Sequence, residues 1–184
     1  MKILSRRSLV VIGLAVLFFA PGLAAVLFFQ HPQWLGGHTT NKGELIKPAV
    51  FIQGLAHIDG VSKDAKWHLL LWGAGDCDQH CFIALDKLMR IRLALGRHYY
   101  EVNQVLMLPD AMSPALLQRL NILKKSDTKL LYLTQKEMNL LRVDQHHRRI
   151  FIADPQGFVV LSYAVTADSD DVYRDIKHLL IKSN

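Results

Sequence analysis

Hydrophobic positions along this 184-residue chain fall into three patterns. Residues 9–29 form one uncharged apolar run, interrupted only by Pro21-Gly22 and long enough to cross a bilayer as a single helix. Short apolar runs bounded by turn residues recur at 50–55, 67–72, 102–108, 129–133, 150–153 and 158–163, which is the pattern of strands. Among them, Trp67-His68-Leu69-Leu70-Leu71-Trp72 is apolar enough for an inner strand covered on both faces. Helical stripes make the third pattern. Cys81, Ala84, Leu88, Ile91 and Leu95 predict a helix over 78–95, and Val172, Ile176, Leu179 and Leu180 predict a last helix opening near Asp168 or Ser169.

Turn residues punctuate these runs. Asp59-Gly60 with Ser62-Lys63-Asp64 predicts a turn between the first two strands, making them a hairpin-like unit. Gly96 is a stop for the helix over 78–95, and Ser113-Pro114 reads as an N-cap followed by proline, opening a short helix through Leu123. Residues 129–133 are expected as a third inner strand, followed by a short helical piece over 135–143. Asp154-Pro155-Gln156-Gly157 predicts a hairpin turn, since proline fixes φ and glycine accepts φ > 0. The alternation of strands and helices predicts an α/β sandwich with a mixed sheet. Pro32, Gly36-Gly37 and the polar 39–43 give residues 30–48 the composition of a linker, so the expected division is 1–8 outside the span, 9–29 anchor, 30–48 juxtamembrane linker and 49–184 folded domain.

Charge adds orientation. Lys2, Arg6 and Arg7 precede the apolar run and supply half of the net charge of +6, which places residues 1–8 in the cytoplasm and the domain outside, in a bacterium the periplasm. Val26-Leu27-Phe28-Phe29 continue past Ala24-Ala25, which favours an uncleaved inner-membrane anchor over a cleaved secretory signal. No basic stripe interleaved with aromatics follows, so nucleic acid is not an expected partner.

The candidate chemistry lies where the run 67–72 meets a glycine turn, Gly73-Ala74-Gly75, and then a helix. The chain's two cysteines, Cys77 and Cys81, sit there one helical turn apart. A helix N-terminus lowers thiol pKa, so the pair suits redox exchange or soft-metal binding; the plainer alternatives are two core cysteines or an inert disulfide. A thioredoxin-like arrangement, with cysteines at a strand-to-helix junction, is the expected form of the sandwich. Asp76, Asp78 and His80 read as solvated loop and helix-end residues. His146 and His147 precede the strand at 150–153, where such a fold brings a late loop beside the cysteine turn; two thiolates and an imidazole would suit copper, and an exposed polar pair is the plainer account.

The anchor, the Cys77-x3-Cys81 turn, Asp144-Gln145-His146, the Ile152-Ala153-Asp154-Pro155-Gln156-Gly157 hairpin and the amphipathic last helix together resemble the Sco/SenC proteins, copper-binding assembly factors of cytochrome c oxidase. In that family a histidine lies nine residues before the hairpin proline, and His146 stands nine before Pro155. The resemblance implies Cys77, Cys81 and His146 as ligands of copper, Cu(I) or Cu(II), and an oxidase subunit or another assembly factor as partner, with no enzymatic turnover. Thr39-Thr40-Asn41-Lys42-Gly43-Glu44-Leu45-Ile46 also resembles the juxtamembrane signature of a shorter group of anchored proteins associated with oxidase assembly. Asp78 stands where Sco motifs carry proline, and the cysteine-to-histidine segment is shorter. Two other functions follow from the same residues. One is a thiol-disulfide oxidoreductase in which Cys77 attacks and Cys81 resolves, although the Cys-x2-Cys spacing and late proline of such enzymes are missing. The other is a structural assembly protein that binds no metal.

Overall fold

The computed structural model describes residues 6–31, 41–56, 58, 66–74, 77–110 and 127–183. The chain divides into two compact units, residues 1–40 and 41–184. In the first, α1 (Arg6–Gln30) runs 25 residues, and its stretch Val10–Gln30 is long and apolar enough to cross a membrane. At 1.5 Å per residue these 21 residues reach about 31 Å, the thickness of a hydrocarbon core. Phe18 and Phe29 are more than four-fifths exposed on it, an arrangement compatible with lipid around the helix.

The second unit is a six-stranded mixed sheet between two helical layers. In chain order it contains β1 (Glu44–Phe51), the single turn α2 (Gln53–Ala56), β2 (Trp67–Trp72), α3 (Gln79–Ala94), a 3-10 segment (Gly96–Glu101), β3 (Val102–Pro109), β4 (Thr128–Leu133), α4 (Gln135–Leu141), β5 (Arg149–Ala153), β6 (Phe158–Ala164) and α5 (Ser169–Ser183). The strand order is β1-β6-β5-β2-β3-β4. β2 runs parallel to β3 and β3 to β4, while β5 is antiparallel to both β2 and β6, and β6 to β1.

Strand alternation sorts the core into two faces. Leu69, Leu71, Leu106, Leu108, Ile150 and Ile152 face α3 and α5, meeting Leu88, Ile91, Val172 and Ile176. Leu70, Trp72, Val105, Met107 and Phe151 face the other way, onto Ile52, Leu55 and the α4 residues Met138 and Leu141. The stripe that predicts α3 is its buried face, and the helix gives way at Gly96, where φ is +58°. At the β5–β6 hairpin Gly157 takes φ +94°, and the Asp154 carboxylate accepts the N–H groups of Gln156 and Phe158.

Four expectations are corrected. The segment 30–48 is not all linker and the strand expected at 50–55 is displaced, because β1 runs Glu44–Phe51 and Gln53–Ala56 forms the turn α2. The first two strands are not a hairpin, because β1 pairs with β6, at the far side of β5 from β2. β4 is an edge strand, not an inner one. Most of the strand at Glu44–Phe51 escapes a hydrophobicity reading because it lies at the sheet edge, largely exposed, and contains Pro48, which edge strands and bulges tolerate. The expected turn at 59–64 and the helix at 113–123 lie outside the described residues, as do residues 1–5 and 32–40.

The chain enters the second unit through a clasp. The Asp175 carboxylate on α5 accepts the backbone N–H groups of Lys42 (2.7 Å) and Gly43 (2.9 Å) and the Tyr163 hydroxyl (2.7 Å). Asp175 is buried, and burial first, then the bond to Asp175, pushes the Tyr163 hydroxyl pKa up, so it stays a donor. Gly43 packs on the Tyr163 ring: a Cβ there would fall 2.4 Å from Cζ. This explains a glycine in the polar run before β1.

Candidate functional site

The site starts where β2 ends. Gly73 N–H still donates to Met107 O at 3.0 Å, and a Cβ at Gly73 would come within 2.9 Å of Leu108, so the turn packs tightly on β3. Ala74 follows with φ +53°, a left-handed conformation uncommon for a residue with a side chain. Residues 75 and 76 lie outside the described residues, so the expectation for Asp76 does too. Cys77 and Cys81 then close a disulfide, with Cα atoms 5.1 Å apart, across the first turn of α3. Both are fully buried, among the core residues that face α3 and α5.

Asp78 has a larger role than a solvated helix end. It is the N-cap of α3, its Oδ1 accepting the Cys81 N–H at 3.1 Å, and Arg148 Nη2 lies 2.8 Å from the same carboxylate. The Cys81 N–H foremost, and then the Arg148 guanidinium, hold the Asp78 carboxyl below its ordinary pKa. His80 is exposed, as expected. Arg148 reaches Asp78 because it follows the alternation of β5: Ile150 and Ile152 share the cysteine face, whereas Phe151 belongs to the other core and Arg149 pairs with Glu44 on β1 at 2.9 Å.

The loop leading into β5 is fixed from both sides. Trp72, buried at the end of β2, donates its Nε1–H to Asp144 O at 2.6 Å. The Asp144 carboxylate accepts the N–H groups of His146 (2.8 Å) and His147 (2.7 Å), and its second oxygen lies 2.8 Å from His147 Nδ1. With the His147 ring bond foremost, these contacts lower the Asp144 pKa to about 2. Both histidines are exposed.

That shift makes a pH prediction. Asp144 is ionised in the fold well below its ordinary value near 4. A depressed carboxylate gives its full contribution above the unfolded pKa and loses it as pH falls through the folded one. The turn at 144–147 is therefore expected to hold above about pH 4 and to open as pH falls through about 2. Amide chemical shifts of His146 and His147 should report a single transition there, absent in Asp144→Asn.

The structure thus brings Cys77 and Cys81 together, and ties their turn to the His146–His147 loop through Asp78–Arg148 and Trp72–Asp144. It does not gather His146 with the cysteines: among the described residues no three His, Cys, Asp or Glu side chains form a metal-holding group. Bonded to each other, the two sulfurs are not thiolate ligands. A two-electron reduction would release two thiols at a helix N-terminus, which favours their ionised form. Arg148 and Trp72 are site residues that sequence reasoning missed. The N-cap role of Asp78 had a signal, an aspartate three residues before the first buried position of a helical stripe.

A mixed sheet between helical layers, with a cysteine pair where an inner strand turns into a helix, defines a thioredoxin-like protein. The family model described as "Transmembrane-like, thioredoxin-like, C-terminal domain" matches residues 67–183, and the chain belongs to that family. A comparison with curated proteins gives no match. Among solved structures, ScoI of Arabidopsis thaliana with copper bound is similar at 18% identity, covering 64% of this chain and 86% of that one, with a TM-score of 0.48. ScoI of Bradyrhizobium japonicum with copper bound is 17% identical, over 62% of this chain and 85% of that one, TM-score 0.44. The thioredoxin domain of a thiol-disulfide oxidoreductase from Bacteroides vulgatus is 16% identical, over 63% and 80%, TM-score 0.44.

Proposed function

We propose that this chain is a membrane-anchored, periplasmic copper carrier that assists assembly of a cytochrome c oxidase copper centre, and that its Cys77–Cys81 pair is the switch between an oxidised form that holds no metal and a reduced form that does. The observation that carries the reading is the closed disulfide at the start of α3, tied through Asp78 and Arg148 to the strand that leads out of the His146 loop. Reduction supplies two soft sulfur donors, which suit Cu(I) as they do zinc, and imidazole tolerates both copper states. Arg148 holds Asp78 beside the cysteines, and His146 stands two residues before it in an exposed turn, the histidine whose ring Asp144 leaves unengaged. His147 is engaged by Asp144 at Nδ1. The apolar helix α1 supports attachment to the inner membrane, and the basic residues before it support a periplasmic domain.

The test is an anaerobic Cu(I) titration of the full chain in detergent, before and after reduction. One copper per reduced chain and none per oxidised chain is the expected result. His146→Ala should weaken binding by more than the roughly 10–100-fold that follows loss of an outer-shell partner, while His147→Ala stays within about twofold of the parent. Equal, negligible effects would remove His146 from the ligand set. No binding by the reduced parent would remove copper from the function.

A further inference from the structure

A cavity on the side of the sheet away from the disulfide is built from two irregularities that the thiol chemistry does not require. Between Leu45 and Val50, β1 advances five residues while β6 advances two, from Leu161 to Val159, so the edge strand arches off the sheet. Opposite the arch, α4 ends at Arg142 with φ +54°, a left-handed position where helices usually place glycine or asparagine. Between arch and helix end lies a cavity of about 470 Å³, the size range of ligand sites. The buried Leu141 and Phe151 form part of its lining, and Lys47 comes from the arch and Arg142 from the helix end. Among the described residues neither cation has a carboxylate partner, whereas Arg149 in the same lining is taken by Glu44.

A second cavity, of about 370 Å³, shares Arg142 and Arg149 with the first and continues past Asp144 and His147 to Arg148. Arg148 is the residue that grips Asp78 beside the cysteines. The two cavities adjoin at Arg142 and Arg149, and together they line a track from the β1 arch to Arg148.

We propose that this track is a docking groove for the protein served at Cys77 and Cys81, and that it takes an extended segment in which acidic residues alternate with apolar ones. The proposal rests on the reading that the cysteines act on a client protein. Apolar side chains fit against Leu45 and Leu140, which are exposed in the lining, and carboxylates fit Lys47 and Arg142, which have no carboxylate partner among the described residues. Two adjoining cavities of about 470 and 370 Å³ offer more room than one small anion fills, which favours a polypeptide. The left-handed Arg142 places a cation where glycine would be easier for the backbone, as strained residues at ligand clamps do. Charged anchors of this kind speed encounter and fix the client's register before exchange.

The experiment uses the full chain in phosphatidylcholine nanodiscs, oxidised and without copper, and reads fluorescence anisotropy of a short fluorescein-labelled peptide in which Glu alternates with Val and Leu. Arg142→Gly and Lys47→Gln should each weaken binding by about tenfold, the loss of a hydrogen-bonded charge pair. Arg142→Gly should also unfold at the same or a higher urea concentration than the parent, because glycine relieves the left-handed position, so its weaker binding cannot come from a damaged fold. A peptide with Gln in place of Glu should bind at least tenfold more weakly, again the scale of a charge pair. Parent-like affinity in both variants, or equal affinity for the Gln peptide, would overturn the proposal. So would loss of peptide binding in phosphatidylglycerol nanodiscs, which would assign the cations to lipid headgroups. The doubly substituted Cys77→Ser/Cys81→Ser chain should bind the peptide as the parent does. Failure of the copper titration therefore leaves this result standing, and failure here leaves the copper result standing.

Discussion

Cys81→Ser is expected, on the proposed copper reading, to lower the affinity of the reduced chain for Cu(I) by more than about a hundredfold, because that reading makes Cys81 a ligand and not merely an outer-shell partner. Cys77 keeps its thiol but has nothing to close on, so the variant also loses the oxidised state seen across the first turn of α3. The same variant separates carrier from oxidoreductase. An enzyme that attacks through Cys77 and resolves through Cys81 would accumulate mixed disulfides with its clients once the resolving thiol is gone. A carrier should show copper loss with no such adducts. Adducts on a denaturing non-reducing gel, combined with a parent that binds no copper, would give the lead to the oxidoreductase reading.

The second large effect concerns the clasp before β1. Asp175→Ala would leave three donors, the Lys42 and Gly43 N–H groups and the Tyr163 hydroxyl, without their shared acceptor. An unanswered buried donor costs about 1–3 kcal/mol, so a loss of about 3 kcal/mol or more is expected in urea unfolding, with the slope unchanged. Tyr163→Phe removes one donor and leaves the carboxylate two, and should cost about 1 kcal/mol. Gly43→Ala tests the steric half: a Cβ 2.4 Å from the Tyr163 ring must displace it, an overpacking effect of about 1–3 kcal/mol. If Asp175→Ala unfolds at the parent's midpoint, the clasp contributes nothing to stability.

How much of this was legible in the sequence follows from where each interaction is stored. β2, β3, β5 and β6 lie inside the sheet, so their apolar runs announce them, and α3 buries a regular stripe that marks it as a helix. β1 is marked only at its end, by the run that begins at Val50, since an exposed edge strand with Lys47-Pro48 in its arch looks like a linker. The cysteines were legible because there are only two and they flank a helix start. Whether they are bonded or hold a metal is not a sequence property; it depends on electrons supplied from outside. Arg148 and Asp175 were invisible for a different reason. Each meets its partner across a long stretch of chain, Asp78 for Arg148 and Lys42-Gly43 for Asp175, and such pairings exist only once the sheet has been assembled.

The clasp also decides where the protein is mechanically strong. A pull arriving along the chain at residue 41 meets three fasteners in succession, the Asp175 bonds, the Gly43–Tyr163 contact and the pairing of Glu44 and Leu45 with β6. The load is thereby delivered to β6 and α5. The disulfide turn hangs from β2 and α3, neither of which carries one of these fasteners. Tension on the chain ahead of residue 41 is thus taken up at β1, β6 and α5 before it reaches the strand that ends at the disulfide turn.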